Sequence, residues 1–393
     1  MTNTDFRLPE NLNPGRIALI AGAIGLGLSA AGYFVDAKQF YHSYLTAFVY
    51  WTTIGLGGLF FSLLHHLTNA TWSTVLRRFS ESLMVTLPLM IILFIPVLFG
   101  MHDLYHWTHA DAVAHDPLLQ SKAPYLNTPF FIIRTVVYFA IWFVLGRSLY
   151  KRSISQDQGD TSRDLLTKMR QISAPGMLLF GFTLTFAAFD WLMSLDPHWY
   201  STIFGVYIFS GTLLAVLAFI LVVALYLRRN NVLTDAITPE HYHDLGKLLF
   251  GFTVFWAYIS FSQYFLIWYG NIPEETIFYL HRWGGHWKTI SLLIVFGHFV
   301  APFLILATRA AKRNLKLLKV VAFWMLFMHF VDLHWVILPT LHKHGFHFSW
   351  IDITTFVGVG GIFLYVFWRN FSAHALIPVN DPKLKDSLKF VNV

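Results

Sequence analysis

The stretch FMHFVDLHW, residues 327–335, places three ionisable side chains inside an otherwise apolar run. His329, Asp332 and His334 could hold or pass protons if they lie near other polar groups, because imidazole and carboxylate change charge readily when burial and partners allow it. Such groups are costly inside a membrane, so they usually pair with each other or line a wet cavity. Their role depends on the elements that carry them and on what else lies at the same depth.

The composition indicates a chain built for lipid. Apolar residues make up 56% of the chain and charged residues 12%, whereas a soluble domain has about 25% charged residues. Several apolar runs reach the roughly 18 residues that can cross a bilayer. We therefore predict an all-α integral membrane protein, with one polytopic domain over residues 1–393 and a cytoplasmic C-terminal tail at 370–393. The net charge of +7 is explained by topology, and we expect no nucleic-acid partner.

Ten transmembrane helices are predicted from these runs, and the third is expected to be kinked because it contains Pro88 and Pro96. Lysine and arginine alternate strongly between the two sides, with 22 of 28 on the side of both termini. This asymmetry predicts that both termini lie in the cytoplasm. The predicted spans cover roughly 16–35, 43–66, 80–100, 128–149, 173–195, 202–227, 248–270, 289–308, 319–338 and 351–369.

The chain contains no cysteine. This excludes disulfides, iron–sulfur clusters held by thiolates and covalently attached c-type haem in this chain. Any electron carriers would therefore be a bound quinone, a non-covalent haem or centres in partner subunits.

Polar groups from five predicted spans fall in one band in the outer half of the membrane. At about 1.5 Å per residue, Arg134, Asp190 and Asp332 lie roughly 8–9 Å below the outer boundary. Arg134 and one aspartate would form a neutral pair, and the other aspartate would be protonated, bonded to a histidine or paired elsewhere. A quinol oxidation site needs such groups, because two protons leave with two electrons. The candidates for a proton or quinol site are Arg134, Asp190, Gln263, His298, His329 and Asp332.

Three other interpretations of this band remain open. It could be a packing network that fixes the helices. His298 and His329 could ligate a haem b from consecutive helices. The helix count also fits a secondary transporter, although no matched pair of interrupted spans is visible.

Two further groups of residues could bind protons or a metal. On the inner side, His65, His66 and Glu81 are candidates for proton entry, but several apolar turns separate them from the outer band. In the outer loop HDLYHWTH, residues 102–109, three histidines would share one face if the segment were helical, which would suit a metal ion. The alternative for this loop is a polar surface that docks another protein.

Longer motifs point to a family. The run LLFGFTLTFAAFDWLMSLDPHWYSTIFGVYIFSG (178–211) resembles the signature of the second large membrane subunit of bacterial alternative complex III. ITPEHYHDLGKLLFGFTVFWAYISFSQYFLIWYGNIPEET (237–276) and HRWGGHW (281–287) fit the same family. The resemblance covers most of the chain from about 170 to 340. That complex is a quinol:cytochrome c oxidoreductase unrelated to the cytochrome bc1 complex, and the resemblance implies that the chain lies in a bacterial inner membrane.

This resemblance implies an architecture and a set of partners. Such subunits are similar to the NrfD and polysulfide-reductase type of membrane anchor, with two four-helix bundles plus peripheral helices. They carry no redox centre, and contribute to quinol binding or proton translocation beside an NrfD-like sister membrane subunit. Multihaem and monohaem cytochrome c subunits and an iron–sulfur subunit carry the electrons.

The resemblance also suggests site residues. The family motif positions correspond here to Asp190, Asp196 and His198. We assign no catalytic residue and no metal ligand to the chain. Quinone or quinol is the one redox molecule that we expect it to contact, together with membrane lipids.

Overall fold

The described part of the protein consists mainly of α-helices. A computed structural model describes residues 6–9, 11–159, 163–343 and 345–392. Helix accounts for 80% of it, and no strand occurs in the described residues. The all-α prediction is therefore confirmed.

Ten helices in the described ranges are long and apolar enough to cross a membrane, as predicted. Several of them begin earlier than predicted, in polar sequence that does not meet the hydropathy criterion, because side chains cap the helix there. Thr238 and His241, for example, form a reciprocal cap at the start of the seventh helix. In chain order, α1–α10 are Pro14–Val35, Ala37–Leu67, Trp72–Phe99, Thr128–Asp157, Asp164–Leu195, Phe204–Arg229, Pro239–Gly270, Trp287–Leu306, Leu315–Thr340 and Trp350–Ser372.

The helices pack as two bundles of four and a peripheral pair. Helices α2–α5 form the first bundle and α6–α9 form the second, while α2 and α6 lie at the centre and are 89% buried over their most apolar windows. Helices α1 and α10 pair tightly at the edge, where glycines let the backbones touch. A Cβ atom on Gly25 would lie 2.5 Å from the backbone nitrogen of Gly358. Small residues commonly allow such close packing between membrane helices.

Two of the membrane helices are irregular. Helix α3 consists of a 3₁₀ turn and three short α-helical pieces, with interruptions before Leu87 and at Phe94. The predicted kink is therefore confirmed. Helix α8 contains a π-helical segment, Ile294–Val300, which includes His298. Pro302 follows it and cannot donate to the carbonyl of His298, so the wider turn has a local cause.

The two ends of the bundles differ in how they are closed. We call the end that carries residues 6–13 and 373–392 the termini side and the other end the opposite side. The predicted tail packs on the termini side: Leu376 donates a backbone hydrogen bond to Phe6, and Asp381 pairs with Arg77. Its cytoplasmic location stays a prediction. On the opposite side, the connections 100–127, 196–203 and 271–286 cover the helix ends.

Candidate functional site

In the first bundle, Asp190 of α5 forms an ion pair with Arg134 of α4. The guanidinium binds both carboxylate oxygens, with Nε 2.8 Å from Oδ2 and Nη2 2.9 Å from Oδ1. The hydroxyl of Tyr138 also donates to Oδ2 at 2.7 Å. Asp190 is fully buried. Bidentate charged pairs of this kind are strong and fix geometry.

Arg134 is held from its other side as well. Its Nη1 donates to the carbonyl of Tyr125 at 2.9 Å. The guanidinium carbon lies 3.8 Å from the ring centroid of Tyr125 and 4.3 Å from that of Phe130. Desolvation of the cation is thus offset by a carboxylate, a carbonyl and two aromatic faces. The first aspartate therefore lies in a neutral, closed pair.

In the second bundle, Asp332 of α9 has a different set of neighbours. The hydroxyl of Tyr207 donates to its Oδ1, and the indole of Trp256 donates to Oδ2 at 3.2 Å. The Nδ1 atom of His298 lies 3.9 Å from Oδ2. Asp332 is 4% exposed, and no lysine or arginine among the described residues lies within ion-pair distance of it. Its hydrogen-bonding neighbours are therefore neutral or titratable.

His298 and His329 lie beside this carboxyl group. The ring of His298 packs on Trp256 with centroids 4.2 Å apart, and neither of its nitrogens has a hydrogen-bond partner in the described structure. His329 Nε2 is 2.9 Å from the hydroxyl of Thr53, which itself donates to the carbonyl of Tyr50. Since that hydroxyl proton is used, Nε2 is expected to donate and Nδ1 to keep a free lone pair.

Gly211 of α6 leaves space beside His329 and Asp332. A Cβ atom there would lie 3.3 Å from His329 Nδ1 and 3.9 Å from Asp332 Oδ2. A cavity of about 20 Å³ also lies among α2, α5 and α6, lined by Thr52 and Thr53. The hydroxyl of Thr52 has no described partner. The other residues that line this cavity are apolar.

The predicted band is therefore divided between two sites. Within the described residues, no hydrogen bond or ion pair joins the Arg134–Asp190 pair to the group around Asp332. Gln263 belongs to neither site. Its amide binds the hydroxyls of Ser201 at 3.2 Å and Tyr279 at 3.1 Å. These residues lie at one depth but belong to different bundles. The distance of a residue from the end of its helix gives its depth and not the direction in which its side chain points.

The other family-motif positions lie on the opposite-side surface. Asp196 ends the 3₁₀ turn Met193–Leu195. His198 Nε2 lies 2.6 Å from Asp116 Oδ2 and ties the connection after α5 to the connection before α4. This hydrogen bond lowers the pKa of the Asp116 carboxyl below its usual range. These residues fasten the surface loops and do not reach either buried aspartate.

The residues proposed for proton entry lie on the termini side, and Glu81 is held in an ion cluster. Glu81 Oε1 is 3.1 Å from Arg77, and Oε2 is 2.8 Å from Arg78 and 2.9 Å from the hydroxyl of Ser153. His65 Nδ1 is 2.8 Å from the hydroxyl of Ser73, and His66 is buried beside His65. The arrangement of Glu81 favours helix packing over an open entry for protons.

The histidines of the outer loop do not share one helical face. Met101–Leu104 and His106–Thr108 form two separate short turns, broken at Tyr105. The rings of His102 and His109 stack with centroids 4.0 Å apart. Among the described residues, no group of three histidine, aspartate or glutamate side chains could hold a metal ion. The metal interpretation required three histidines on one helical face, and this described loop does not have such a face.

Four residues of the second site were not predicted from the sequence: Tyr207, Trp256, Thr53 and Gly211. Tyrosine and tryptophan in apolar spans are expected as membrane anchors, so their role as hydrogen-bond donors to a buried acid leaves no distinct pattern. A glycine in a helix likewise signals close packing without naming its neighbour. Comparison with known protein families finds no matching family model, and comparison with curated proteins finds no match.

Proposed function

We propose that this chain is a membrane subunit of a respiratory quinol:electron acceptor oxidoreductase and contributes to quinol binding or proton translocation. The motifs that resemble alternative complex III support this, and the division into two four-helix bundles agrees with that resemblance. In this proposal the electrons travel through haem c and iron–sulfur centres of partner subunits. The NrfD-like sister subunit completes the membrane part.

The observation that carries the proposal is the environment of Asp332. A buried carboxyl with hydrogen-bond donors and two nearby imidazoles, but no fixed cation, can change its protonation state without breaking an ion pair. Purely structural pairs usually neutralise their charges, as Arg134 and Asp190 do. The group around Asp332 is therefore the better candidate for proton transfer.

The chemistry of quinol oxidation fits these groups. Oxidation of a quinol to a quinone releases two electrons and two protons. The electrons go to the partner carriers, and a carboxylate and an imidazole can each accept one proton. The free nitrogens of His298 and His329 beside Asp332 provide such acceptors. The contact of His329 Nε2 with Thr53 holds this imidazole in place beside Asp332.

Purification in mild detergent tests the complex. We expect cytochrome c and iron–sulfur subunits to co-purify with the chain. A haem b spectrum from the chain freed of its partners, or solute uptake by the chain alone, would instead support the haem b or transporter interpretation. Either result without co-purifying redox subunits would contradict the proposal.

A substitution then tests the site. Asp332→Asn keeps the size of the side chain and one acceptor oxygen, for either Tyr207 or Trp256, but it cannot take up a proton, so we expect quinol turnover to fall about 100-fold. Asp352→Asn is the matched control, because Asp352 is also buried but caps the start of α10 and binds Ser43. If Asp332→Asn kept the turnover and proton release of the unmodified protein, as Asp352→Asn is expected to do, Asp332 would have no part in the mechanism.

A further inference from the structure

A groove opens between α4 and α5 near the termini side. Its volume is about 430 Å³. The floor is apolar and the rim is basic, and several of the residues that line it are exposed at the outer surface of the bundle. The residues that line it include Leu145, Arg152, Lys168, Gln171, Pro175 and Leu179.

The groove has a local cause in α5. Pro175 lies inside this helix and has no N–H to donate to the carbonyl of Gln171, so the helix is expected to bend there. Gly176 follows, and a Cβ on it would come within 2.9 Å of Leu63 and 3.1 Å of Leu145. The missing side chain lets α5 lie against the leucines of α2 and α4. Beside this contact the bend leaves an open cleft.

The two cations stand at the level of lipid head groups. Arg152 lies five residues before the end of α4 at Asp157, or about 7.5 Å along the axis. Lys168 lies four residues after the start of α5 at Asp164, or about 6 Å along its axis. The apolar floor continues from them toward the middle of the membrane through Ile172 and Leu179. A molecule with an anionic head and an apolar tail matches this order.

Neither cation is strongly neutralised by the protein. Nη1 of Arg152 donates to the carbonyl and hydroxyl of Ser148, and no carboxylate among the described residues pairs with it. Lys168 pairs with Asp164, but both side chains are more than half exposed, and such pairs contribute little. Arg152 and Lys168 thus retain capacity to bind a phosphate.

We propose that this groove binds an anionic phospholipid, with phosphatidylglycerol as the occupant. The phosphate contacts Arg152 and Lys168, and one acyl chain lies along Leu145, Pro175 and Leu179. Basic pockets between membrane helices bind anionic lipid head groups in this way. A quinone lacks a phosphate that could pair with the two cations. A water-soluble anion lacks an apolar tail that could pack on the floor of the groove.

Native mass spectrometry of the full-length chain, with any partners that co-purify, tests this site. After delipidation, defined amounts of phosphatidylglycerol or phosphatidylethanolamine are added in detergent. We expect preferential retention of phosphatidylglycerol, and the double variant R152Q/K168Q should weaken it about 25-fold, or about fivefold for each cation removed. Leu179→Trp should also weaken retention by filling the apolar part without changing charge.

A charge-matched variant separates this site from general attraction. Arg147 and Lys151 are exposed on α4 and do not line the groove, so R147Q/K151Q should retain the lipid as the unmodified protein does. Equal loss in both double variants would show only non-specific attraction to a basic surface. Equal retention of the two lipids, or a quinone displacing phosphatidylglycerol from the groove, would overturn the proposal. Thermal unfolding confirms that each variant is folded.

Discussion

Two buried aspartates in one chain illustrate how partners determine the role of a residue. Asp190 lies near the opposite-side end of α5, the last helix of the first bundle, and Asp332 lies toward the same end of α9, the last helix of the second. Each stands seven residues before a proline, Pro197 or Pro339. Burial and residue type are therefore shared, and the difference lies in their neighbours.

The neighbours of the two aspartates explain why the charge of one is fixed and the proton of the other can exchange. Arg134 binds both oxygens of Asp190 and is itself enclosed by aromatic rings. Asp332 is bonded by Tyr207 and Trp256, and no fixed cation balances it in the described structure. An ionised carboxylate without a cation is costly in a low-dielectric interior. The first site is thus expected to stabilise the fold, and the second to exchange protons.

The largest expected effect comes from breaking the fixed pair. Arg134→Leu leaves Asp190 buried without its cation and should lower the free energy of unfolding by about 3–5 kcal/mol. The double variant R134L/D190L removes both charges and should recover most of that loss. Thermal or denaturant unfolding in detergent measures both. If the double variant were as unstable as the single one, the pair would not be acting as a charge-balanced unit.

The second site should respond in turnover more than in stability. His329→Gln can still donate to Thr53 through its amide, but it cannot accept a proton. We expect quinol turnover of the assembled complex to fall about tenfold, or about 1.4 kcal/mol in the barrier, with a changed pH profile. His374→Gln, after the end of α10 on the termini side, is the control and should leave turnover unchanged. A normal rate and pH profile for His329→Gln would exclude this imidazole from proton transfer.

A smaller effect is expected from filling the space beside the second aspartate. In Gly211→Ala the new methyl would lie 3.3 Å from His329 Nδ1, so it should exclude a water or substrate group from that position. Turnover should fall a few-fold, and unfolding should change by about 1 kcal/mol. Gly251→Ala places its methyl in open space on α7 and serves as the control. Identical turnover in the two variants would show that the space above Gly211 is unused.

The smallest effect concerns the surface loops. Because its hydrogen bond with His198 lowers the pKa of Asp116, the ionised carboxyl favours the folded loop at neutral pH. This contribution should begin to fade as the pH falls below about 4 and vanish below the lowered pKa. Hydrogen exchange of residues 110–122, measured relative to the intrinsic exchange rate at each pH, should then quicken. In Asp116→Asn the carboxyl-dependent acceleration should disappear, and an unchanged pH response would contradict this assignment.

Much of the architecture could be predicted from sequence, because length and hydropathy specify membrane helices directly. The ten helices and the kink in α3 follow from apolar runs and from Pro88 and Pro96. A neutral pair between Arg134 and one aspartate could also be predicted, because opposite buried charges at one depth favour each other, but the sequence does not indicate which aspartate it is.

The second site could not be predicted in the same way. Tyr207, Trp256 and Asp332 come from three helices whose rotation about their axes depends on packing with several neighbours at once. Gln263 shows the same limit, since it has the right depth but faces Ser201 and Tyr279. Glu81 could be located near the boundary, but its two arginine partners made it part of a closed ion cluster.

Infrared difference spectroscopy during a pH titration tests the contrast between the two aspartates most directly. The spectrum of the assembled protein should contain a titrating carboxylic-acid carbonyl band that disappears in Asp332→Asn. Asp190→Asn, provided that it remains folded, should keep the band, because Arg134 binds both oxygens of Asp190. A band that survives in Asp332→Asn, or one that is lost only in Asp190→Asn, would contradict the assignment of the exchangeable proton to the second bundle.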